Sequence, residues 1–153
     1  MPNEDKIEEV YVFRLEEGMD LLKEIVRIAK EKHIGSGMLM AIGALKGARF
    51  GFYTGGKDVY KYMELDKHLE LLSCVGNIAL KDGETLVHAH IVLGDEEGRT
   101  YGGHLMEGTM VSPTVELHIL KIGNLSLTRH FDGRTGLNLL SAKPAEHKEG
   151  SPR

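Results

Sequence analysis

The stretch TLVHAHIVLGDEEGRTYGGHLME, residues 85–107, decides the expected fold and the expected functional site. Its first part, Leu86–Leu93, is short, apolar and bounded by glycine and aspartate, which predicts a β-strand. Side chains alternate along a strand, so His88 and His90 share one face. The opposite face is apolar and predicts the core side: Val87, Ala89, Ile91 and Leu93.

The segment 94–98 is polar, has glycine at both ends and is short enough to close a β-hairpin. We expect a register in which His104 lies directly opposite His88 and is the diagonal neighbour of His90. Such neighbours have Cβ atoms within about 4.5–8 Å, so three ring nitrogens can converge on one point. A slip of one residue would send His104 to the other face.

Three neutral imidazoles suit Zn²⁺, with Ni²⁺, Co²⁺ and Fe²⁺ as competitors. Three protein ligands leave one position open for water or substrate, and a bound water could then support hydrolysis or hydration. The same site could hold a small anion or only brace the fold. Gly102 and Gly103 leave room for a ligand beside the histidines.

Glu107 follows His104 by three residues and is the candidate catalytic residue, either as a general base or as a hydrogen-bond partner of a ligand imidazole. The alternative is a solvated loop carboxylate. Glu116 and His118 share one face of a later strand and could add a fourth ligand, although an exposed polar face is the favoured explanation. Cys74 lies in an apolar run and is expected in the core.

The chain has 153 residues and a formal net charge of −4, with no block of basic residues. This length predicts one domain, and the charge gives no support for nucleic-acid binding. The first residues are charged, so we expect no secretory signal, and no apolar stretch is long enough to cross a membrane. A cytoplasmic location is the resulting expectation.

The predicted fold is α+β: a large antiparallel, partly barrel-like sheet with one main helix in a compact single domain. Glu9–Leu15 alternates like a strand, and apolar residues in Met19–His33 follow helical spacing. Short β-rich segments follow, and short connections favour antiparallel pairing. These segments are Met38–Ala44, Ala48–Thr54, Val59–Leu65, His68–Val75, Asn77–Leu80, the hairpin, Val115–Ile122 and Leu125–Phe131. Residues 8–140 form the expected domain, and the polar residues 141–153 are expected to be a disordered tail.

A cupin also places H-x-H on a strand, with an acidic residue and a later histidine. The spacing here fits that pattern imperfectly, and the chain opens with a strand and a long helix. A jelly roll is therefore not the predicted fold.

Four segments together resemble the PPC family, the plants-and-prokaryotes conserved domain. They are RLEEGMDLLKEIV, AIGALKGARFGFY, HLELLSCVGNIAL and VHAHIVLGDEEGRTYGGHLMEGTMVSPTVEL, which begin at residues 14, 41, 68 and 87. The resemblance implies a homotrimer, and it implies that zinc is bound by His88, His90 and His104. At 67–72 the chain departs from the plant version of the family's motif, which puts a plant partner-binding role in doubt.

Plant members carry a separate AT-hook, whose R-G-R-P core enters the minor groove. This sequence contains no such core, so DNA is not an expected partner. The first hypothesis is a metal-dependent small-molecule site in an enzyme or sensor, and the second is an assembly or transcription-associated module whose metal is structural or incidental. The third is DNA binding, which predicts a salt-dependent mobility shift with duplex DNA.

Overall fold

The structure, a computed structural model, describes residues 6–56 and 60–145. Those residues form one helix and nine strands, and the strands belong to one sheet. In chain order the elements are β1 Lys6–Glu16, α1 Leu21–Glu31, β2 Gly37–Tyr53, β3 Tyr60–Leu65, β4 Leu69–Lys81, β5 Glu84–Gly94, β6 Thr100–Leu105, β7 Met110–Gly123, β8 Leu125–Asp132 and β9 Leu137–Pro144.

The sheet is partly closed on itself. Strand β2 pairs with β6, β6 with β5, β5 with β4, and β4 again with β2, so four strands form a hydrogen-bonded ring. Strands β7 and β1 extend one side, and β8 and β9 extend the other. Pairing is antiparallel except for a single parallel bridge between Leu80 and Thr128. The α+β, partly barrel-like prediction is confirmed.

Helix α1 starts where a polar side chain can cap it. The Asp20 carboxylate accepts a hydrogen bond from the Lys23 backbone N–H at 3.1 Å, as an N-cap residue should. The helix buries one apolar face, made of Leu21, Ile25, Ile28 and Ala29, in the same core as the inward face of β5. The predicted helix is thus confirmed, although its regular part is shorter at both ends.

Two pairs of predicted short strands are single long strands. Met38–Ala44 and all but the last residue of Ala48–Thr54 lie in β2, and all but the first residue of His68–Val75, together with Asn77–Leu80, lies in β4. The glycines between the predicted segments suggested turns, but the chain passes through them as extended or irregular strand, with register shifts near Gly43 and Gly47. A long strand with such irregularities can bend around a small barrel.

Strand β9 was missed by the sequence analysis. It runs to Pro144 and therefore includes residues 141–144, which were predicted as the start of a disordered tail. Residues 146–153 of that tail, and Val59 of the predicted third strand, lie outside the described residues. Within the described part of the chain, no helix is long and apolar enough to span a membrane.

Candidate metal centre

The face of β5 that carries histidines is the one predicted from alternation. Ala89 and Ile91 are buried in the core, whereas His90 is exposed and His88 is half-buried. The two imidazoles therefore project from the sheet on the side away from the core. Cys74 is a buried core residue, as expected, and burial raises the pKa of its thiol to about 12.

The predicted hairpin register is wrong by two residues. His104 lies directly opposite His90, and Gly102 opposite Val92, where the sequence analysis paired His104 with His88 and Gly102 with His90. Because side chains alternate with a period of two, a shift of two residues keeps His104 on the same face. The three histidines therefore still meet.

Asp95 explains the observed register. Strands β5 and β6 pair from Gly94 and Thr100, so the connecting loop holds the five residues 95–99. Inside it the Asp95 carboxylate accepts backbone N–H bonds from Glu97 at 3.1 Å and from Arg99 at 2.9 Å. These bonds stabilise a five-residue loop that starts one residue later than the loop 94–98 assumed from glycine spacing.

The ring nitrogens are close enough to share one ion. His88 Nε2 and His90 Nε2 are 3.2 Å apart, and one nitrogen from each of His88, His90 and His104 lies within 4.8 Å of the others. Two nitrogens bound to one tetrahedral metal at about 2.0–2.1 Å would be separated by about 3.3 Å. The cluster can therefore hold a metal ion, while its binding of one stays a prediction.

Burial favours the neutral form of two of the imidazoles, His88 and His104. Burial, reinforced by His104, Arg129 and His90, lowers the pKa of His88 to about 4. Burial also lowers the pKa of His104, with smaller contributions from His90 and Arg129. Neutral imidazole is the form that binds metal, so these two ligands need no deprotonation at pH 7.

A cavity of about 490 Å³ opens beside the cluster. His88 and His104 form part of its wall, together with residues that the sequence analysis did not single out. The polar ones are Tyr60, Asn77, Arg129 and Asn138, and the apolar ones are Leu86, Val87, Leu137, Leu139 and Leu140.

Arg129 carried a signal in the sequence that was overlooked. In the strand LSLTRHFD it alternates with Leu125 and Leu127, and both Leu127 and Arg129 are buried. A charged residue on the apolar face of a strand is uncommon and indicates a functional or structural partner. No local pattern, in contrast, could have shown that Tyr60 stacks on His104, with ring centroids 4.9 Å apart.

Glu107 does not line this cavity. Its carboxylate forms an ion pair with Lys23 Nζ of helix α1 at 3.5 Å. The next residue, Gly108, donates its backbone N–H to the Asp20 carboxylate at 2.7 Å, which ties this loop to the start of the helix. The structure thus places Glu107 beside the helix, and the solvated loop carboxylate describes it better than a general base.

Glu116 and His118 are also kept apart from the cluster. They lie on β7, which is separated from β5 in the sheet, and they pair with Ile42 and Met40 of β2. Glu116 is exposed. They supply no fourth ligand within this chain.

The chain resembles known proteins over most of its length. A metal-containing protein from Archaeoglobus fulgidus is 36% identical, with a TM-score of 0.82 and coverage of 89% of this chain and 95% of that one. A plant- and prokaryote-conserved (PPC) protein from Pyrococcus horikoshii is 35% identical, with a TM-score of 0.84 and coverage of 92% and 96%. A candidate DNA-binding protein from Ralstonia eutropha JMP134 is 28% identical, with a TM-score of 0.78 and coverage of 86% and 90%.

Among curated proteins, the chain is 34% identical over 146 residues to the bifunctional protein GlmU of a Synechococcus strain, JA-3-3Ab. That match covers 94% of this chain and only 22% of GlmU, so the chain spans about a fifth of the curated relative. The model of the Plants and Prokaryotes Conserved (PCC) domain, the family called PPC above, matches residues 2–123. The chain therefore belongs to the PCC domain family.

Proposed function

We propose that this protein binds a small molecule at a zinc ion held by His88, His90 and His104. The observation that supports this most strongly is the convergence of three ring nitrogens at the wall of a cavity. Zinc bound by three imidazoles would act as a Lewis acid with one position open for a ligand. The metal-containing relative from Archaeoglobus fulgidus is consistent with this assignment.

The cluster has the composition of an open site. Structural zinc sites are closed by four protein ligands, whereas sites that bind a substrate have three. Among the described residues, the metal-binding group consists of three histidines without an aspartate, glutamate or cysteine. This favours a ligand-binding metal over one that only braces the fold.

The residues around the cluster would orient the ligand. Tyr60 packs on His104, and Asn77 accepts a hydrogen bond from the Arg129 guanidinium at 2.7 Å. No carboxylate lines the cavity within the described residues. Binding is therefore the function that the geometry supports best, and a hydrolytic reaction would need a metal-bound water activated without Glu107.

We further propose that the protein is a cytoplasmic homotrimer. One cross-strand row on the outer face of the sheet exposes three apolar side chains, Val12 (64%), Met40 (47%) and Val75 (52%), with the half-buried His118 between Val12 and Met40. Val75 is paired directly with His90, so this row ends at the metal cluster. Exposed apolar surface of this kind usually marks an interface. A neighbouring subunit would then lie close to the site.

Light scattering after size exclusion tests this assembly. The wild-type protein should have three times the mass of one chain, and Met40→Glu should shift it toward the monomer. Phe131→Glu changes a more exposed apolar residue on β8, away from the row, and serves as the control. A wild-type monomer would contradict the proposal.

Cobalt(II) substitution tests the open coordination position. Cobalt bound at the cluster should give visible absorption bands that shift when azide is added, because azide takes the open position. Bands that are insensitive to azide would indicate a closed, structural metal. His118→Ala should leave the spectrum unchanged, since His118 lies on β7 and not in the cluster.

DNA binding is the competing function. The observation in its favour is the similarity to the candidate DNA-binding protein from Ralstonia eutropha. This chain has a net charge of −4, however, and phosphate contacts dominate DNA affinity. A mobility-shift assay with duplex DNA at low salt separates the two. A salt-dependent shift that persists in His104→Ala would favour DNA binding with a structural or incidental metal.

A further inference from the structure

Arg129 is a buried cation with incomplete pairing. It is only 6% exposed. Its Nη1 donates to the Asn138 carbonyl at 2.9 Å, and its Nη2 donates to Asn77 Oδ1 at 2.7 Å and lies 3.3 Å from His88 Nδ1. A guanidinium has five N–H groups. Two of them have an oxygen acceptor, His88 Nδ1 can accept a third only when it carries no proton, and at least two remain without a described acceptor. The Nε atom is buried and is one of these.

Among the described residues, no carboxylate neutralises this charge. Arg129 forms no ion pair with any aspartate or glutamate among residues 6–56 and 60–145, and the cavity wall contains no acidic residue. Buried charges are normally paired, because desolvation of a lone charge is unfavourable. Something outside the described residues is needed to complete the pairing.

Other unpaired polar atoms gather around the same cavity. Four buried side-chain polar atoms have no hydrogen-bond partner in the described chain: Arg49 Nε, His104 Nδ1, Arg129 Nε and Asn138 Oδ1. Three of these four belong to residues in the cavity wall. Buried polar groups are rarely left unpaired in proteins, so their concentration here points to a missing ligand.

The interaction between Arg129 and His88 argues in the same direction. A neutral metal ligand normally carries its proton on the nitrogen that faces away from the metal and donates it to an acceptor. His88 Nδ1 instead faces the Arg129 Nη2 donor. Arg129 therefore acts against a cation bound at His88, unless an anion lies between the two positive charges.

We propose that the cavity binds a small organic carboxylate, whose anionic group pairs with Arg129 beside the metal. This deepens the proposed function and rests on it for the role of the metal. A carboxylate matches the planar donor geometry of arginine. The five apolar residues in the wall, Leu86, Val87, Leu137, Leu139 and Leu140, suit a short hydrocarbon body better than a fully polar anion such as phosphate.

Calorimetric titration of the zinc-loaded full chain with three probes tests the proposal. The probes are isovalerate, its neutral amide isovaleramide, and inorganic phosphate. Isovalerate should bind at least about tenfold more tightly than the amide, which has the same shape but no charge. Equal binding of acid and amide, or binding of neither, would overturn the proposal, and a preference for phosphate would overturn the carboxylate assignment.

Arg129→Gln should remove the preference for the acid, with a loss in isovalerate affinity of about 10- to 100-fold. Arg129→Lys keeps the positive charge but not the planar, two-pronged donor geometry of the guanidinium, and it should lose less isovalerate affinity than Arg129→Gln. Metal content is measured in each variant, so that a change in ligand affinity is not mistaken for metal loss. If neither variant folds, the comparison of acid with amide is repeated on metal-free wild type, where zinc cannot bind the carboxylate, and a lost preference for the acid there would overturn the role of Arg129.

Two further outcomes separate this inference from the proposed function. If one metal binds per chain but acid and amide bind alike, the inference fails and the metal site stands. If His104→Ala loses the metal and still prefers the acid through Arg129, the anion site stands and the proposed role of the metal fails. If Arg129→Gln instead changes the oligomeric mass, a carboxylate of another subunit pairs with Arg129, and the ligand proposal is overturned.

Discussion

The two ends of the β5–β6 hairpin treat buried charge in opposite ways. At the turn, the fully buried Asp95 side chain is paired with Lys67 Nζ at 2.7 Å, Arg99 Nε at 2.9 Å and the Tyr101 hydroxyl at 2.9 Å. At the histidine end, the buried Arg129 has no carboxylate partner in the described residues. The buried charge of Asp95 is thus paired within the described residues, whereas that of Arg129 is not.

The difference separates a structural role from a binding role. Satisfied polar networks stabilise a unique local structure, and here the Asp95 network fixes the register that places His104 opposite His90. Unpaired buried groups beside a cavity favour ligand binding instead, because a ligand that supplies the missing hydrogen-bond partners gains binding free energy. The turn thus organises the site, and the open end provides the binding capacity.

The largest effect on the hairpin is expected from Gly103→Ala. A Cβ at Gly103 would lie 2.5 Å from the Gly51 carbonyl oxygen and 3.1 Å from Phe50 Cδ2, so the strand pairing beside His104 must shift. We expect a loss of about 2–3 kcal/mol in the free energy of unfolding. Gly98→Ala, at the turn end, has open space but a φ of +75° and should lose only about 1 kcal/mol. Chemical denaturation measures both, and equal losses would contradict the packing difference.

Asp95→Asn should disrupt the ion pairs and hydrogen bonds around Asp95. The Lys67 ammonium, followed by Arg99 and Tyr101, holds the pKa of Asp95 well below its usual range. A lowered folded-state pKa stabilises the protein above about pH 4, the unfolded value, and this stabilisation is lost as the pH falls toward the folded value. The variant should be less stable at pH 7 and should lack this part of the acid-induced decline.

Thermal unfolding between pH 2 and pH 7 measures that pH dependence. Asp66→Asn is the matched control, because Asp66 is exposed. If Asp95→Asn and the wild type lose stability in parallel below pH 4, the Asp95 network does not have the assigned role.

Arg129→Gln should strengthen metal binding in the absence of carboxylate. It removes a positive charge next to His88 and places an amide oxygen where the His88 Nδ1 proton can find an acceptor. We expect an increase in zinc affinity of about tenfold. Competition with a chromophoric chelator measures it, and Arg27→Gln on the exposed side of α1 is the control. Weaker metal binding in Arg129→Gln would show that Arg129 supports the ligands instead of opposing a cation.

The smallest effect is expected from Glu107→Gln. Its ion pair with Lys23 is exposed on both sides, and such pairs contribute at most about 1 kcal/mol. Metal content and carboxylate affinity should stay unchanged. A clear decrease in metal content or in carboxylate affinity would show that Glu107 acts at the metal cluster and would contradict its placement beside the helix.

Local patterns predicted what depends on nearest neighbours. Alternation in LVHAHIVL indicated both the core face and the histidine face of β5. The predicted register was wrong by two residues, but a shift by an even number of residues leaves His104 on the same face. The error arose because the register depends on Asp95 side-chain bonds within the loop, which glycine spacing does not reveal.

The rest of the site depends on distant segments. Tyr60, Asn77 and Arg129 come from β3, β4 and β8, and only the sheet order brings them to the same cavity. A single sequence contains the strands but not their order. Strand β9 was missed for a related reason: its sequence, LNLLSAKP, does not alternate regularly, none of its residues is buried, and its backbone pairs with β8.

The most direct test of the account is elemental mass spectrometry of untagged protein purified without chelators. Wild type, His88→Ala, His104→Ala and the control His118→Ala are compared, with circular dichroism to show that each is folded. The account predicts about one zinc per chain in the wild type and in His118→Ala, and almost none in the other two. Wild-type protein without metal, or metal retained in both cluster variants, would contradict it.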